Sequence, residues 1–348
     1  MPLADLAESI WYGDAVSSRV ARAALAPATA LYRLAIGRVN ARYDAAPPAP
    51  GPIPSISIGN VTVGGTGKTP VSAWFAARLR AAGATPAIVL RGYGDDEVHV
   101  HRLLNPDVPV IVEPDRVAAV RTAARGGADV AILDDAFQHR RAARVADVVL
   151  ISADRWTGAA RLLPSGPFRE PLESLRRATV VMVTVKAAGA DQVAAAVRAV
   201  RAVTAAPVVT VDLAPADFVA VATEEHRAPA AWGGRRVLAV SGIGDPAAFH
   251  AQLGRLGLLT TPMVFGDHHR YDAPTVAQIA AAAAGQEGVV CTLKDAVKLG
   301  PQWPSSAVPL WYLSQTVVPR DGADTLDAMV QAVLAARRSG PSIPDPSR

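Results

Sequence analysis

GNVTVGGTGKTP, residues 59–70, decides how the rest of the chain is read. SISIG precedes it and reads as a strand, while VSAWFAARLRAAG follows Pro70 and reads as a helix ending at Gly83. A glycine loop with G-K-T between a strand and a helix is the setting of a phosphate-binding P-loop. Gly64, Gly65 and Gly67 let successive backbone N–H groups turn toward one anion. The helix N-terminus adds its positive dipole end. Lys68 is then placed to reach β- and γ-phosphates, and the Thr69 hydroxyl to ligate Mg²⁺. Thr62, Val63 and Thr66 complete the expected nucleotide-binding loop, so ATP and Mg²⁺ are the expected ligands. One position departs from the usual G-x-x-x-x-G-K-[ST]: Thr62 stands where the first glycine belongs.

Working outward, DVAILDDAFQHRR (129–141) is an apolar strand that runs into two aspartates. Asp134 and Asp135 resemble Walker B acids, which hold or orient Mg²⁺. At a strand's C-terminal end they fall on the ligand-binding edge of a doubly wound sheet. Strands are expected at 55–58, 87–90, 108–112, 130–133, 148–152 and 180–185, nearly all apolar, as parallel strands covered on both faces are. A second strand–helix alternation starts near Arg235 with RRVLAVSGIG. Further strands are expected around 263–265, 289–292 and 310–313, and a last helix near 325–336. The fold class is therefore α/β: a P-loop NTPase-like, doubly wound, mostly parallel sheet with a second, smaller α/β domain and an N-terminal amphipathic helix. The expected divisions are a helical segment over 1–45, a P-loop kinase domain over 46–215, an alanine- and proline-rich linker over 216–234, a smaller α/β domain over 235–338 and a disordered tail over 339–348.

The chain has 348 residues, enough for two hydrophobic cores. With 19% charged residues and a net charge of +4 it has a globular composition that does not demand nucleic acid. Aromatics are 5%, too few for a base-stacking platform. The single cysteine, Cys291, reads as a buried core thiol, and the composition fits a reducing compartment. No secretory signal or spanning apolar stretch is visible in the sequence. SSRVARAALAPATALYRLAIGRVNAR (17–42) carries five arginines and no acid, with apolar residues at near-helical spacing and Pro27 set to kink or divide it. Such a helix can lie in a membrane interface or pack on its own domain with its arginines in water.

RGYG (91–94), DDAFQH (134–139), LLPSGPFREP (162–171), SGIGDPAAF (241–249), FGDHH (265–269) and TLKDAVKL (292–299) follow the P-loop in that order. Together these motifs resemble the tetraacyldisaccharide 4′-kinase family, from about Trp11 to Lys298. The resemblance implies two α/β domains with the active site in the cleft between them. It implies transfer of the ATP γ-phosphate to the 4′-hydroxyl of a tetraacylated disaccharide 1-phosphate, the lipid A precursor, at the cytoplasmic face of the inner membrane. The N-terminal helix would dock on that surface, with no nucleic acid and no obligate protein partner evident.

Carried over by motif, Lys68 and Thr69 match the P-loop lysine and metal-binding threonine, and Asp134 and Asp135 the acids near the metal. Glu170 matches a further active-site acid at the metal. Arg91 and Arg116 match basic residues near the phosphates, and Gln138 and His139 the QH after the acids. His268 matches a histidine that pairs with an aspartate in a G-D-E segment, which maps to Asp95-Asp96-Glu97. RGYG here runs straight into DDEVHVHR, without the insert that family members usually carry. Asp96 is the expected base, Asp95 the fallback, and Glu97 is assigned to the substrate side. Independently of the family, a sugar hydroxyl is a poor nucleophile and gains from a carboxylate that accepts its proton. Two rivals stand beside this reading. A partitioning-type switch ATPase would carry a lysine at Val63, and a GTP-using metal-delivery protein would need a Cys/His cluster.

Overall fold

A computed structural model of the chain describes residues 3–92 and 96–339. Asp95 therefore lies outside the described residues. The chain begins with three helices, α1 (Leu3–Tyr12), α2 (Val16–Ala24) and α3 (Ala26–Ala45). Pro27 sits in the first turn of α3, where its missing N–H costs nothing. Then follow β1 (Ser55–Asn60), α4 (Lys68–Ala81), β2 (Pro86–Leu90), α5 (Asp96–Leu104), β3 (Val110–Val112), α6 (Arg116–Arg125), β4 (Val130–Asp134), β5 (Ala146–Ser152), β6 (Val180–Val185), α7 (Ala190–Arg201) and β7 (Val208–Ala220). After β8 (His226–Arg227) come β9 (Arg236–Ser241), α8 (Pro246–Arg255), β10 (Leu259–Val264), α9 (Ala273–Ala282), β11 (Val289–Thr292), α10 (Leu293–Leu299), β12 (Leu310–Pro319) and α11 (Ala323–Ser339).

The strands form one sheet in the order β10-β9-β11-β12-β7-β6-β5-β1-β4-β2-β3, with β8 on β7. From β3 to β7 every neighbour is parallel. From β12 to β10 every neighbour is parallel again. The two halves join through one antiparallel pair, β7 with β12. β1 lies between β4 and β5, so the chain switches direction across the sheet at the strand that feeds the glycine loop. All six residues of β1 are buried, as its covering by helices on both faces requires.

Two expected divisions differ from the structure. Residues 216–234 do not form a bare linker. β7 runs through Ala220, and its 13 residues pair with β6 at one end and β8 at the other. Phe218 stacks on Trp232 at 4.3 Å inside the second half's core. The alanine and proline content hid these anchors. Nor does the last helix pack with the smaller half. Leu326, Met329, Val330, Val333 and Leu334 of α11 join the core built from β1, α4 and β2. β12 carries the chain back across the junction, so α11 starts beside the first half.

Candidate active site

β1 delivers its last residue, Asn60, to the mouth of the glycine loop, where Asn60 Nδ2 donates to Thr66 Oγ1 at 2.8 Å. Gly64 and Gly67 hold φ of +98° and +87°. A Cβ on Gly67 would lie 2.3 Å from Leu213 Cδ1. Gly59 is needed for a different reason: a Cβ there would meet the Phe137 backbone nitrogen at 2.7 Å. Position 62 makes no such demand. Thr62 forms a β-bridge with Phe168, and the Val63 N–H donates to the Pro167 carbonyl at 2.8 Å. The loop is extended there against PSGPF, so a side chain fits and the usual first glycine is dispensable. Gly67 gives α4 no side-chain cap, which leaves its first-turn N–H groups for an anion.

β4 brings Asp134 alongside Ile58 of β1. Asp134 is buried, with Oδ2 at 3.0 Å from His101 Nε2 and Oδ1 accepting from the Asp135 N–H. Arg116, also buried, donates to the Asp134 carbonyl at 3.1 Å. Asp135 takes the left-handed φ of +48°, unusual for a residue with a side chain. Its carboxylate is forked by Arg169, at 2.8 and 3.3 Å, and lies 3.8 Å from Lys68 Nζ. Burial pushes the Asp135 carboxyl up, but Lys68 and Arg169 outweigh it and hold it well below the usual range. Burial in turn lowers Lys68, against the pull of Asp135. Thr69, Asp134 and Asp135 thus offer hard oxygen donors around one loop, a set that suits Mg²⁺ shared with phosphates and water.

The second half closes the other wall. Gly244 sits so close that a Cβ there would meet Gly65 N at 3.1 Å. Asp245 caps α8 and pairs with Lys186 at 3.3 Å, while Lys186 Nζ also donates to the Gly65 carbonyl. Leu313 and Gln315 of β12 line a cavity of about 580 Å³ between the halves. At its far side His268 Nδ1 lies 3.4 Å from Asp96 Oδ2, and Lys298 Nζ 3.7 Å from the same oxygen. Lys294 Nζ meets Glu97 Oε1 at 3.1 Å. Burial raises the Asp96 carboxyl, yet His268, Lys298 and Lys294 together bring it down to about 2. The contact with Asp96 raises His268 despite burial. His139 is lowered by burial and by Arg116 and Arg91.

Thr62 through Thr69, Arg91, Glu97, Arg116, Asp134, Asp135, Gln138, His139 and His268 all line this cavity. Asp96 stands just behind the wall, 7% exposed, against His268. Glu170, the other expected metal ligand, is not among the residues that line the cavity. It is 1% exposed, and its oxygens accept from Gln138, Asn40 and Arg177 at 3.1, 2.9 and 2.8 Å. An acid so engaged orients Gln138, whose amide also donates to the Asn60 carbonyl. Sequence reasoning passed over Arg169, His101, Lys186, Lys294 and Lys298. Arg169 and the two α10 lysines stand inside motifs already singled out, LLPSGPFREP and TLKDAVKL; His101 and Lys186 carry no local signal. Cys291 is fully buried, as expected.

The tetraacyldisaccharide-1-P 4′-kinase (LpxK) family model matches residues 21–335. A tetraacyldisaccharide 4′-kinase of Anaeromyxobacter dehalogenans (strain 2CP-C) is 38% identical over 332 residues, covering 86% of this chain and 88% of that one. The Pseudomonas putida (strain W619) enzyme of the same name is 32% identical over 365 residues, covering 97% of this chain and 100% of its own. Among solved structures, LpxK from Aquifex aeolicus in complex with ATP superposes with a TM-score of 0.71 at 26% identity, covering 90% of this chain and 99% of that one.

Proposed function

This chain belongs to the tetraacyldisaccharide-1-phosphate 4′-kinase family, and from that premise we propose how its residues divide the work. The reaction moves the γ-phosphoryl group of ATP to the 4′-hydroxyl of the tetraacyldisaccharide 1-phosphate in lipid A synthesis. Phosphoryl transfer depends on positioning and charge neutralisation more than on covalent help. Residues 62–69 cradle the phosphates through backbone N–H groups, and Lys68 neutralises the transferring group. Mg²⁺ would be held by Thr69, Asp134 and Asp135, where it supplies charge compensation between the phosphates. Arg169 keeps Asp135 ionised and aimed. Arg91 and Arg116 hold phosphate charge, with His139 neutral beside them. Asp96 takes the proton of the 4′-hydroxyl, and His268 orients it.

The observation that carries this reading is the 3.4 Å pairing of Asp96 from α5 with His268 from the other half, across the cavity from the glycine loop. Asp96→Asn keeps the shape and removes the proton acceptor. Transfer should fall on the order of 10²–10⁴-fold, with ATP affinity retained. Radiolabelled ATP and a lipid A precursor resolved by thin-layer chromatography measure this, and near-normal transfer by Asp96→Asn would sink the assignment.

The acceptor is a lipid, so the enzyme must meet a membrane. Among the described residues no helix is long and apolar enough to cross one. We place α2 and α3 on the cytoplasmic face of the inner membrane as a peripheral contact. Val16, Val20, Leu31, Leu34 and Val39 are all exposed there, interleaved with exposed Arg19, Arg33, Arg38 and Arg42. Helices α1 and α3 are tied inward by polar bonds to the LLPSGPFREP loop. Tyr32 OH donates to the Arg169 carbonyl, Trp11 Nε1 to the Pro164 carbonyl, and Thr29 bonds Ser165. Polar residues grip the enzyme and apolar ones face out, the reverse of a helix that packs on its own core.

A further inference from the structure

Resting on the reading of Asp96 as the base, we propose that Lys298 is a second positioning residue for it, gripping the carboxylate oxygen that His268 also holds. Lys298 Nζ lies 3.7 Å from Asp96 Oδ2 and 4.0 Å from Asp295 Oδ1. Its side chain is 17% exposed and lies over the Tyr271 ring. Asp295 is the post to which it is tethered. That acid is fully buried and accepts from Tyr271 OH at 2.8 Å, Thr292 Oγ1 at 2.7 Å and the Gly242 N–H at 3.1 Å. Each of those donors begins or ends a segment that reaches the cleft. Gly242 leads to Gly244 on the glycine loop, Tyr271 follows His268, and Thr292 starts α10. A buried carboxylate with that many fixed donors cannot swing, so the lysine one helical turn away is held between it and Asp96.

The geometry is loose in an informative way. Asp96 Oδ2 and Lys298 Nζ are both buried, and neither makes a hydrogen bond. The oxygen therefore feels two cationic neighbours without spending its lone pairs on them, and can still accept a proton from a hydroxyl. Lys298 thus puts a second basic side chain on this oxygen, from α10 rather than from the loop that carries His268. The charged groups facing Asp96 are His268, Lys298 and Lys294. Glu97 beside it is paired to Lys294, Asp267 stands 4.0 Å from His268, and Asp295 lies behind Lys298. Each cation comes from the second half, so Asp96 is poised only where the halves meet.

Lys298→Met retains the stem and removes the charge. Measured with ATP, Mg²⁺ and the lipid acceptor, kcat should fall about tenfold or more while KM for ATP stays within about twofold. KM for the lipid acceptor should also stay within about twofold, because a residue that positions the base acts on the reacting step and not on binding. Lys298→Arg should recover most of the loss in kcat. Unchanged kcat in Lys298→Met would overturn the proposal. So would a fall in kcat accompanied by a lowered unfolding midpoint and an equal loss in Lys298→Arg, which is the pattern of damaged packing. Asp96→Asn runs alongside as the control. If it is inactive and Lys298→Met behaves as wild type, only the lysine's role fails; if Asp96→Asn stays active, the base assignment fails with it.

Discussion

Gly67 carries a φ of +87° against the side chain of Leu213, so two separate penalties meet at one atom. A left-handed backbone costs a residue with a Cβ about 1–2 kcal/mol, and the contact with Leu213 adds a clash. Gly67→Ala should lower the unfolding midpoint by several degrees, as roughly 1–2 kcal/mol does in a chain of this size, and should raise KM for ATP. Measured as a double-mutant cycle, Gly67→Ala should cost less in a Leu213→Ala background than in the wild type, since only the backbone part remains there. A Gly67→Ala cost of zero in that background, read by thermal unfolding, would refute the backbone contribution. His268 gives a residue-scale pH prediction. Its pKa is raised in the fold by Asp96, so its stabilisation is fully present below its unfolded value near 6.5 and is lost as pH rises through the folded value. Asp96, at about 2, stays ionised throughout that window. The destabilisation in His268→Gln should therefore be larger at pH 6 than at pH 9. It should stay below about 1 kcal/mol because the imidazole is half exposed. A difference that grows with pH would reverse the assignment. The glycine loop and the aspartate pair were legible in the sequence because their demands are local: φ values, a strand end, a helix start. Arg169 was not, since its carboxylate is 34 residues away and only the fold brings the two together.

At the scale of elements, the β7–β12 pair is the hinge of the architecture. It reverses the sheet and returns the chain to the first half, and its β12 member lines the cavity with Leu313 and Gln315. Little of it was legible in the sequence. Pro215 lies within β7 and Pro319 ends β12, both residues that read as breaks, and β7 is only partly buried along its middle. The short apolar strands of the parallel regions were legible because they are covered on both faces. The docking of α11 was hidden for a different reason. Its amphipathic pattern announces a buried face but not which core receives it. Leu326 is 1% exposed among side chains of β1, α4 and β7. Leu326→Ala should cost about 2–5 kcal/mol, as buried leucine truncations do. Hydrogen exchange should then speed up in β1 and α4 before it does in β9 and β11. Faster exchange confined to the second half would contradict this packing. By contrast Leu313→Ala, in the second core, should loosen β9 and β11 first.

At the scale of the molecule, the site is assembled from two parallel half-sheets, and the N-terminal helices are bonded to the loop at 164–170 beside it. The glycine loop lines the cleft, while Val16, Val20, Leu31, Leu34 and Val39 form a run of exposed apolar side chains on the N-terminal helices, which bond to the LLPSGPFREP loop. Val20 and Leu31 are 62% and 68% exposed. In an isolated soluble protein these side chains would gain by turning inward. Here Tyr32, Asn40 and Thr29 occupy the inward face through hydrogen bonds to residues 165–170. The same hydrogen bonds connect α3 to Arg169 and Glu170, so the exposed helical face and the residues that hold Asp135 and Gln138 share one scaffold. Immersing one such side chain is worth about 1.5–3 kcal/mol at full burial, and each arginine near an anionic surface about 1 kcal/mol. The pair Val20→Asp and Leu31→Asp removes apolar area and adds repulsion without touching the inward contacts. It should leave the unfolding midpoint unchanged and release the protein from vesicles rich in anionic lipid. Wild-type protein should co-sediment with those vesicles, detach progressively as salt is raised, and bind weakly to neutral ones, since the arginine contribution is screened within a Debye length. Co-sedimentation of the double variant at the wild-type level would refute docking through this face. If the variant is released yet transfers phosphate to detergent-dispersed acceptor, the helices serve delivery of the lipid. If it is released and also slow in detergent, the bonds from Tyr32 and Asn40 carry the effect inward to the LLPSGPFREP loop.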